Sequence, residues 1–352
     1  MIRLKTNKRQ DFIIALLEKV GNLSVSQIRE GVGKNIGKIS KITINRDLEI
    51  LIQLGFAKRE GRGRAASYRL SEYYNLVKKI DIEDYFKIEP DKRTAQEKFN
   101  FQIFSFLKNI FNDEEKNWLE NLDREYRNNI KHLSETTLRK EMERLIIEFS
   151  WKSSQIEGNT YTLLETETLI KENKEAAGHK KEEAIMILDH KKTLDFILKN
   201  KNKFKNISVD KIEHIHSIIT SELGIPRNIR KSLVGITGTK YKPLDNTWQI
   251  REVLEKSCKM INKEKDIFTK SIAASIMIAY IQPFEDGNKR TARLLGNAIL
   301  LAGGSCPLSY RNASEAEYKK AVILFFEQNN ISYFKKLFMG QYEFAVKNYF
   351  RA

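Results

Sequence analysis

The chain predicts a mainly helical protein in two parts, and three observations carry that reading. Its 352 residues include only 5 prolines and 17 glycines. Long stretches rich in Leu, Ile, Lys and Glu repeat apolar residues at helical spacing. Strand-like alternation is brief, within residues 56–70 and again within 229–250. A hydrophobic content of 41% and an aromatic content of 10% are ordinary for a folded chain, and the length suits two domains or three.

The elements follow in order. Residues 8–20 set Phe12, Ile13, Leu16, Leu17 and Val20 on one stripe. Residues 22–33 follow, with Ser24 as a cap and Ile28 as the buried position. Ser40 or Lys41 starts a third helix that buries Ile44, Leu48, Leu51, Ile52 and Leu54, and Gly55 stops it. The segments "FAKRE" and "ASYRL" alternate like strands on either side of a basic tip, "GRGRA". Three helices and a two-stranded wing are the winged helix-turn-helix pattern, placed here over residues 1–71.

Ser40 to Leu48 resembles the recognition helix of bacterial regulators with that pattern. The resemblance turns Lys41, Thr43, Asn45 and Arg46 toward a DNA groove, because the opposite face is Ile and Leu. Lys58, Arg59, Arg62 and Arg64 on the wing are then expected to reach phosphates. Residues 1–71 hold 15 Lys and Arg against 6 Asp and Glu, a net +9 of the chain's +16. So uneven a distribution argues for a polyanionic partner rather than a uniformly solvated surface. The segment "GVGKNIGKIS" is not a phosphate-binding P-loop. It has one residue too few between its glycines, and Ile39 stands where Ser or Thr would hold magnesium.

Residues 72–100 are polar with scattered aromatics, broken by Pro90, and read as a linker that partly packs on the second domain. Residues 101–345 form the second, all-helical domain, beginning with helical periods in "FNFQIFSFLKNIF" and "TTLRKEMERLIIEFS". Cys258 and Cys306 have neither metal spacing nor a disulfide framework. The basic start is broken by Asp11 and Glu18, unlike a signal peptide, and the longest apolar run, 271–281, is too short to span a bilayer. A cytoplasmic chain without a membrane partner is the expectation.

The most informative stretch is "YIQPFEDGNKRTARLLGNAILLAGG", residues 280–304. One apolar helix ends at Ile281, Pro283 and Gly287-Asn288 force a tight turn, and a second helix starts near Lys289. The amides of 287–290 lie at a helix N-terminus, which favours anions. Arg290 and Arg293 share a face of the first turn. Asp286, just before them, can hold Mg²⁺ against phosphates. The residues compose a phosphate cradle with a metal ligand built in.

This stretch resembles the signature of Fic proteins, H-x-F-x-[D/E]-G-N-G-R-x-x-R, filled here by Phe284, Asp286, Gly287, Asn288, Arg290 and Arg293. Upstream, Ser153-x-x-x-Glu157-Gly158 within 151–167 resembles the family's inhibitory-helix motif. The resemblance implies transfer of AMP from ATP, with Mg²⁺, to a Ser, Thr or Tyr hydroxyl of a target protein. It also implies that Glu157 pairs with Arg293 and takes the space of the ATP γ-phosphate. Residues 229–250 look like the family's β-hairpin flap, which holds a target segment by strand pairing.

Two positions depart from the signature. Gln282 stands where the family has its general-base histidine, and an amide cannot accept the proton of an attacking hydroxyl. Transfer is therefore expected to fall by about 10²–10⁴ or to vanish. Glu285 substitutes only if its side chain faces the site. Lys289 replaces the middle glycine of the signature and adds a cation beside the phosphates, as in a branch that transfers phosphate rather than AMP. Three readings stay open: an active transferase whose base has been replaced, a nucleotide sensor that has lost catalysis, and a metal-assisted enzyme in which Glu157 handles water. In the sensor reading the chain is a transcription regulator of its own promoter, and the second domain senses nucleotide or joins two copies as a homodimer.

Overall fold

The computed structural model describes residues 6–351, apart from the side chain of Arg64. It divides into two compact units, with the boundary between Lys79 and Ile80.

The first unit begins with α1 (Lys8–Val20), whose N-terminus is closed by a reciprocal Asn7/Gln10 capping box. Then come β1 (Leu23–Ser24), α2 (Val25–Asn35), α3 (Lys41–Gln53), β2 (Ala57–Glu60) and β3 (Ser67–Leu70). The sheet is antiparallel in the order β1-β3-β2. β1, from "LS", is a third strand that is too short to show alternation in sequence. Ile13, Leu17, Ile28, Val32, Ile44, Leu48 and Leu51 close the core. Val20 and Ile52, expected inside, are 56% and 38% exposed. Asp47 occupies the inner face instead, only 2% exposed, accepting hydrogen bonds from Arg9 and from Gln10 at 3.1 Å. The chain closes on this unit with α4 (Glu72–Val77), whose Leu76 is fully buried.

Residues 72–100, expected as a linker partly packed on the second domain, are divided between the two units. Their first part belongs to the first unit and the remainder packs into the second. There α5 (Ile82–Lys87) places Tyr85 so that its hydroxyl donates to Glu327 at 2.7 Å. Arg93, 4% exposed, pairs with Glu327 at 3.2 Å. These partners lie over 200 residues away in sequence, which is why the segment looks merely polar when read alone.

The second unit continues through α6 (Ile103–Phe106), α7 (Asp113–His132), α8 (Glu135–Gln155), α9 (Leu163–Glu172), α10 (Lys181–Lys199) and α11 (Val209–Ile219). It ends with α12 (Thr247–Lys263), α13 (Ile267–Ile281), α14 (Asn288–Ala302), α15 (Glu315–Gln328) and α16 (Ser332–Asn348). α6 is a single turn, shorter than the period at 99–111 suggests. α13 is buried on every side from Phe268 to Ile281, as an all-apolar helix must be. α14 packs along it at close range. A Cβ on Gly296 would collide with Ser275 Oγ, and Ser271 Oγ donates to the Gly296 carbonyl at 2.9 Å. Among the described residues no helix is long and apolar enough to cross a membrane.

Two expected elements differ. Residues 229–246 contain no strand, and α12 already begins at Thr247. An isolated two-stranded ribbon is marginal without a third strand or an apolar face to bury. The loop is held instead by Arg230, whose side chain donates to the carbonyls of Gln282 (2.7 Å), Ser232 (2.8 Å) and Leu244. Residues 151–167 are not one helix either. α8 ends at Gln155, Gly158 reverses the chain at φ +95°, and α9 opens on a Thr162/Glu165 capping box. Only glycine takes that backbone conformation without strain, which accounts for Gly158 directly after Glu157.

Candidate functional site

The site is the turn between α13 and α14. Gln282 ends α13 in the left-handed region, φ +51°, and its side-chain amide folds back to donate to the Ala279 carbonyl at 2.6 Å. Asn288 rivets the turn. Its Oδ1 accepts from the Phe284 amide at 2.8 Å and its Nδ2 donates to the Phe284 carbonyl at 2.7 Å. Gly287, at φ +78°, leaves room beside His216 and Thr220, where a Cβ would come 3.1 Å from Thr220 Cγ2. His216, which its apolar helix pattern marks as structural, stacks on Phe284 at 3.7 Å between ring centroids and donates from Nε2 to the Asp286 carbonyl at 3.0 Å. Burial pushes its pKa down to about 4, so the ring is neutral.

α14 begins at Asn288, one residue before the expected start, and its N-cap Gly287 provides no side-chain cap. Its first-turn residues line a cavity of about 340 Å³ together with Gln282, Glu285, Asp286 and Glu157. The loop residues 234–237 and one face of α15 close it. Uncapped amides at a helix start form an anion site. Arg290 strengthens it. The side chain is 2% exposed, Nη2 donates to Asp286 Oδ2 at 2.9 Å, and Nη1 is buried without a hydrogen-bond partner among the described residues. An orphaned guanidinium donor beside an open cavity suits a phosphate oxygen. Asp286 keeps its carboxylate 69% exposed. Among the described residues no group of three acidic, His or Cys side chains could hold a metal alone. One carboxylate plus ligand phosphates is nevertheless an ordinary Mg²⁺ arrangement.

The inhibitory-motif residues meet the signature helix. Arg293 is fully buried. Its Nη1 donates to Glu157 Oε1, its Nε to Ser153 Oγ and its Nη2 to the Ser153 carbonyl, each at 2.9 Å. Its guanidinium also lies over the Tyr318 ring, 4.8 Å from the centroid. Lys289, expected on phosphates, instead donates to the other Glu157 oxygen at 3.0 Å. Burial pushes the Glu157 carboxyl up, but Arg293 and then Lys289 outweigh it and hold the pKa at about 2. Glu157 is thus a carboxylate with a cation on each oxygen.

Glu285 is among the residues that line the cavity, and its exposed carboxylate accepts the Ser232 hydroxyl at 2.9 Å. The predicted DNA-contact residues belong to the first unit. Lys41, Arg46 and Arg62 are exposed, Thr43 and Asn45 are half-buried, and the side chain of Arg64 lies outside the described residues. Lys58 is engaged by Glu72.

The match to known proteins falls on this region. Residues 206–300 fit the family model described as Fic/DOC family. A protein adenylyltransferase Fic of Nematostella vectensis is 33% identical over 183 residues, which is 48% of this chain and 40% of that protein. A probable protein adenylyltransferase of Aquifex aeolicus is 31% identical over 100 residues, 28% of this chain and 31% of that one. The chain spans two fifths or less of the length of these curated relatives. Among solved structures, a Fic-1 fragment of C. elegans superimposes with a TM-score of 0.59 at 22% identity, covering 67% of this chain and 71% of that chain. A Fic domain containing signaling protein of Bacteroides thetaiotaomicron gives 0.56 at 19% identity, covering 65% and 94%. These two show a shared fold. Residues 206–300, with their turn, two arginines and Gln282, match the family model described as Fic/DOC family.

Proposed function

We propose that this chain is a Fic-type protein adenylyltransferase held off by Glu157, with AMP transfer strongly reduced or absent because Gln282 stands at the position of the family's histidine. One observation carries the reading: a single carboxylate occupies Arg293 and Lys289 at the rim of an anion-binding cavity. ATP is to be held by the first-turn amides of α14, by Arg290 and, once Glu157 leaves, by Arg293. Asp286 would hold Mg²⁺, which would supply charge neutralisation to the phosphates. Arg290 and Asp286 already form an ordered pair, so little side-chain ordering is left for binding. Gln282 can hold a hydroxyl by hydrogen bonding but leaves its proton in place.

The test is labelling from α-labelled ATP with Mg²⁺. The unaltered chain should label little, and Glu157→Gly with Gln282→His should label itself or a lysate protein strongly. The position accepts histidine, one of the residues found more often at positive φ. An unlabelled double variant contradicts the reading. Label only from the γ-position redirects it to phosphate transfer.

A second reading rests on the first unit. Its order of helix, strand, helix, helix, strand, strand, with the sheet ordered β1-β3-β2, supports a winged helix-turn-helix that binds DNA of its own promoter. Lys41 and Arg46 on α3 serve as groove contacts, with Thr43 and Asn45 beside them. Ile42, 65% exposed on the same turn, offers an apolar contact for a thymine methyl. Arg62 and Arg64 serve as phosphate contacts. Retardation of the upstream DNA, weakened by salt and by Arg46→Ala, is the expected result. Insensitivity to both contradicts it.

A further inference from the structure

A buried chain of hydrogen bonds runs from the Glu157 clamp into α10. His190 is fully buried there, edge-on to Phe149 at 5.8 Å between ring centroids. Its Nδ1 lies 2.7 Å from the Met186 carbonyl, which can only accept, so Nδ1 carries the proton. Burial pushes the imidazole pKa down to about 3, which leaves the ring neutral and Nε2 a bare acceptor. Nε2 lies 2.8 Å from Ser153 Oγ, so the Ser153 hydroxyl donates to it. The lone pairs of Ser153 Oγ are thereby turned toward Arg293, whose Nε donates to it at 2.9 Å. The same guanidinium then reaches Glu157 through Nη1. Ser154 Oγ also lies 3.2 Å from Nδ1, but the Met186 carbonyl, nearer at 2.7 Å and able only to accept, sets the direction of the chain.

We propose that His190 is the positioning residue of the inhibitory clamp: by fixing the direction of the Ser153 hydroxyl it aims Arg293 at Glu157 and so sets how strongly Glu157 competes with an ATP γ-phosphate. The inference rests on the reading of Glu157 as the competitor and adds the element that tunes it. In the sequence His190 stands in an apolar helix, 37 residues from Ser153, and belongs to neither motif. Without the acceptor, the Ser153 hydroxyl must turn to another partner, and a bonded hydrogen no longer points away from Arg293.

The test compares ATP with ADP affinity by calorimetry in the full chain, since only ATP carries the group that Glu157 opposes. His190→Phe keeps a buried ring and removes the acceptor. It should tighten ATP relative to ADP by about three- to tenfold, the weight of one buried hydrogen bond. His190→Gln, which retains an acceptor, should restore most of the discrimination. In a Glu157→Gly background, His190→Phe should leave the ATP/ADP ratio unchanged. A merely structural role would weaken both nucleotides together and persist in that background. If Glu157→Gly itself leaves the ratio unaltered, the clamp and this inference fall together. If Glu157→Gly moves it and His190→Phe does not, the inference alone is overturned. Nitrogen NMR of the histidine ring gives an independent reading should the phenylalanine variant fail to fold: Nδ1 protonated and Nε2 accepting is expected, and a protonated Nε2 overturns the proposal.

Discussion

Glu157 carries an unequal load. Arg293 approaches it from a buried site braced by Ser153 and Tyr318, whereas Lys289 reaches it with a side chain that is 28% exposed. The arginine therefore sets the geometry and the lysine adds charge in a wetter place, where a pair contributes less. Lys289→Ala should weaken the clamp modestly, tightening ATP about two- to fivefold in the unaltered chain and not at all once Glu157 is glycine. ATP titrations of the four variants measure this. The pH behaviour follows from the same residue. A carboxyl held at about 2 in the folded chain, below its ordinary value, contributes stability that is complete above the ordinary value and is lost as pH falls through about 2. The effect of Glu157→Gly on ATP affinity should therefore be constant between about pH 8 and 5. A clamp that releases in that interval, seen in the same titrations, contradicts an ionised Glu157. The Lys289 contact is hidden from sequence because Glu157 lies 132 residues upstream, and a lysine in a phosphate-like turn reads naturally as a phosphate ligand.

At the scale of elements, the pairing of α13 with α14 positions the turn, and Gly296 is where they approach most closely. Gly296→Ala should destabilise the second unit by about 1–3 kcal/mol, because its Cβ meets Ser275 Oγ in a packed core. Combining it with Ser275→Gly should recover part of that loss. Urea unfolding of the single and double variants checks both. Helix, turn and helix at 280–304 are legible because the signals are local: two apolar runs, Pro283, and a Gly287-Asn288 pair that demands a turn. The loop 229–246 is not legible as a loop. Its alternation suggests strands, yet what orders it is Arg230 reaching across to Gln282 and Leu244, contacts no local pattern reports. The break after Glu157 is legible in Gly158 and in the Thr162/Glu165 capping box, although the motif's resemblance suggests one helix.

At the scale of the molecule, two buried histidines make the second unit sensitive to acid. Burial holds His190 at about 3 and His216 at about 4, both below the ordinary 6.5. Each is neutral in the folded chain and must gain a proton on unfolding, so its contribution is present above 6.5 and is lost as pH falls toward 3 to 4. Stability should drop by about 2–4 kcal/mol between pH 7 and 5, at up to about 1.4 kcal/mol per pH unit for each ring. His190→Gln should flatten part of the slope, and a level stability over that range contradicts the assignment. The division into units is partly legible. The basic first domain stands out by charge, but the border lies at 79/80, with Leu76 buried before it and Tyr85 and Arg93 tied to Glu327 after it. The proposed function turns on whether the cavity at the α13–α14 turn takes a triphosphate when Glu157 is removed. Calorimetric titration of Mg²⁺-ATP into the unaltered chain and into Glu157→Gly tests this most directly. Weak binding that tightens about tenfold or more in the variant, with ADP little changed, is the predicted result. Equal ATP affinity in the two proteins, or no binding in either, would contradict it.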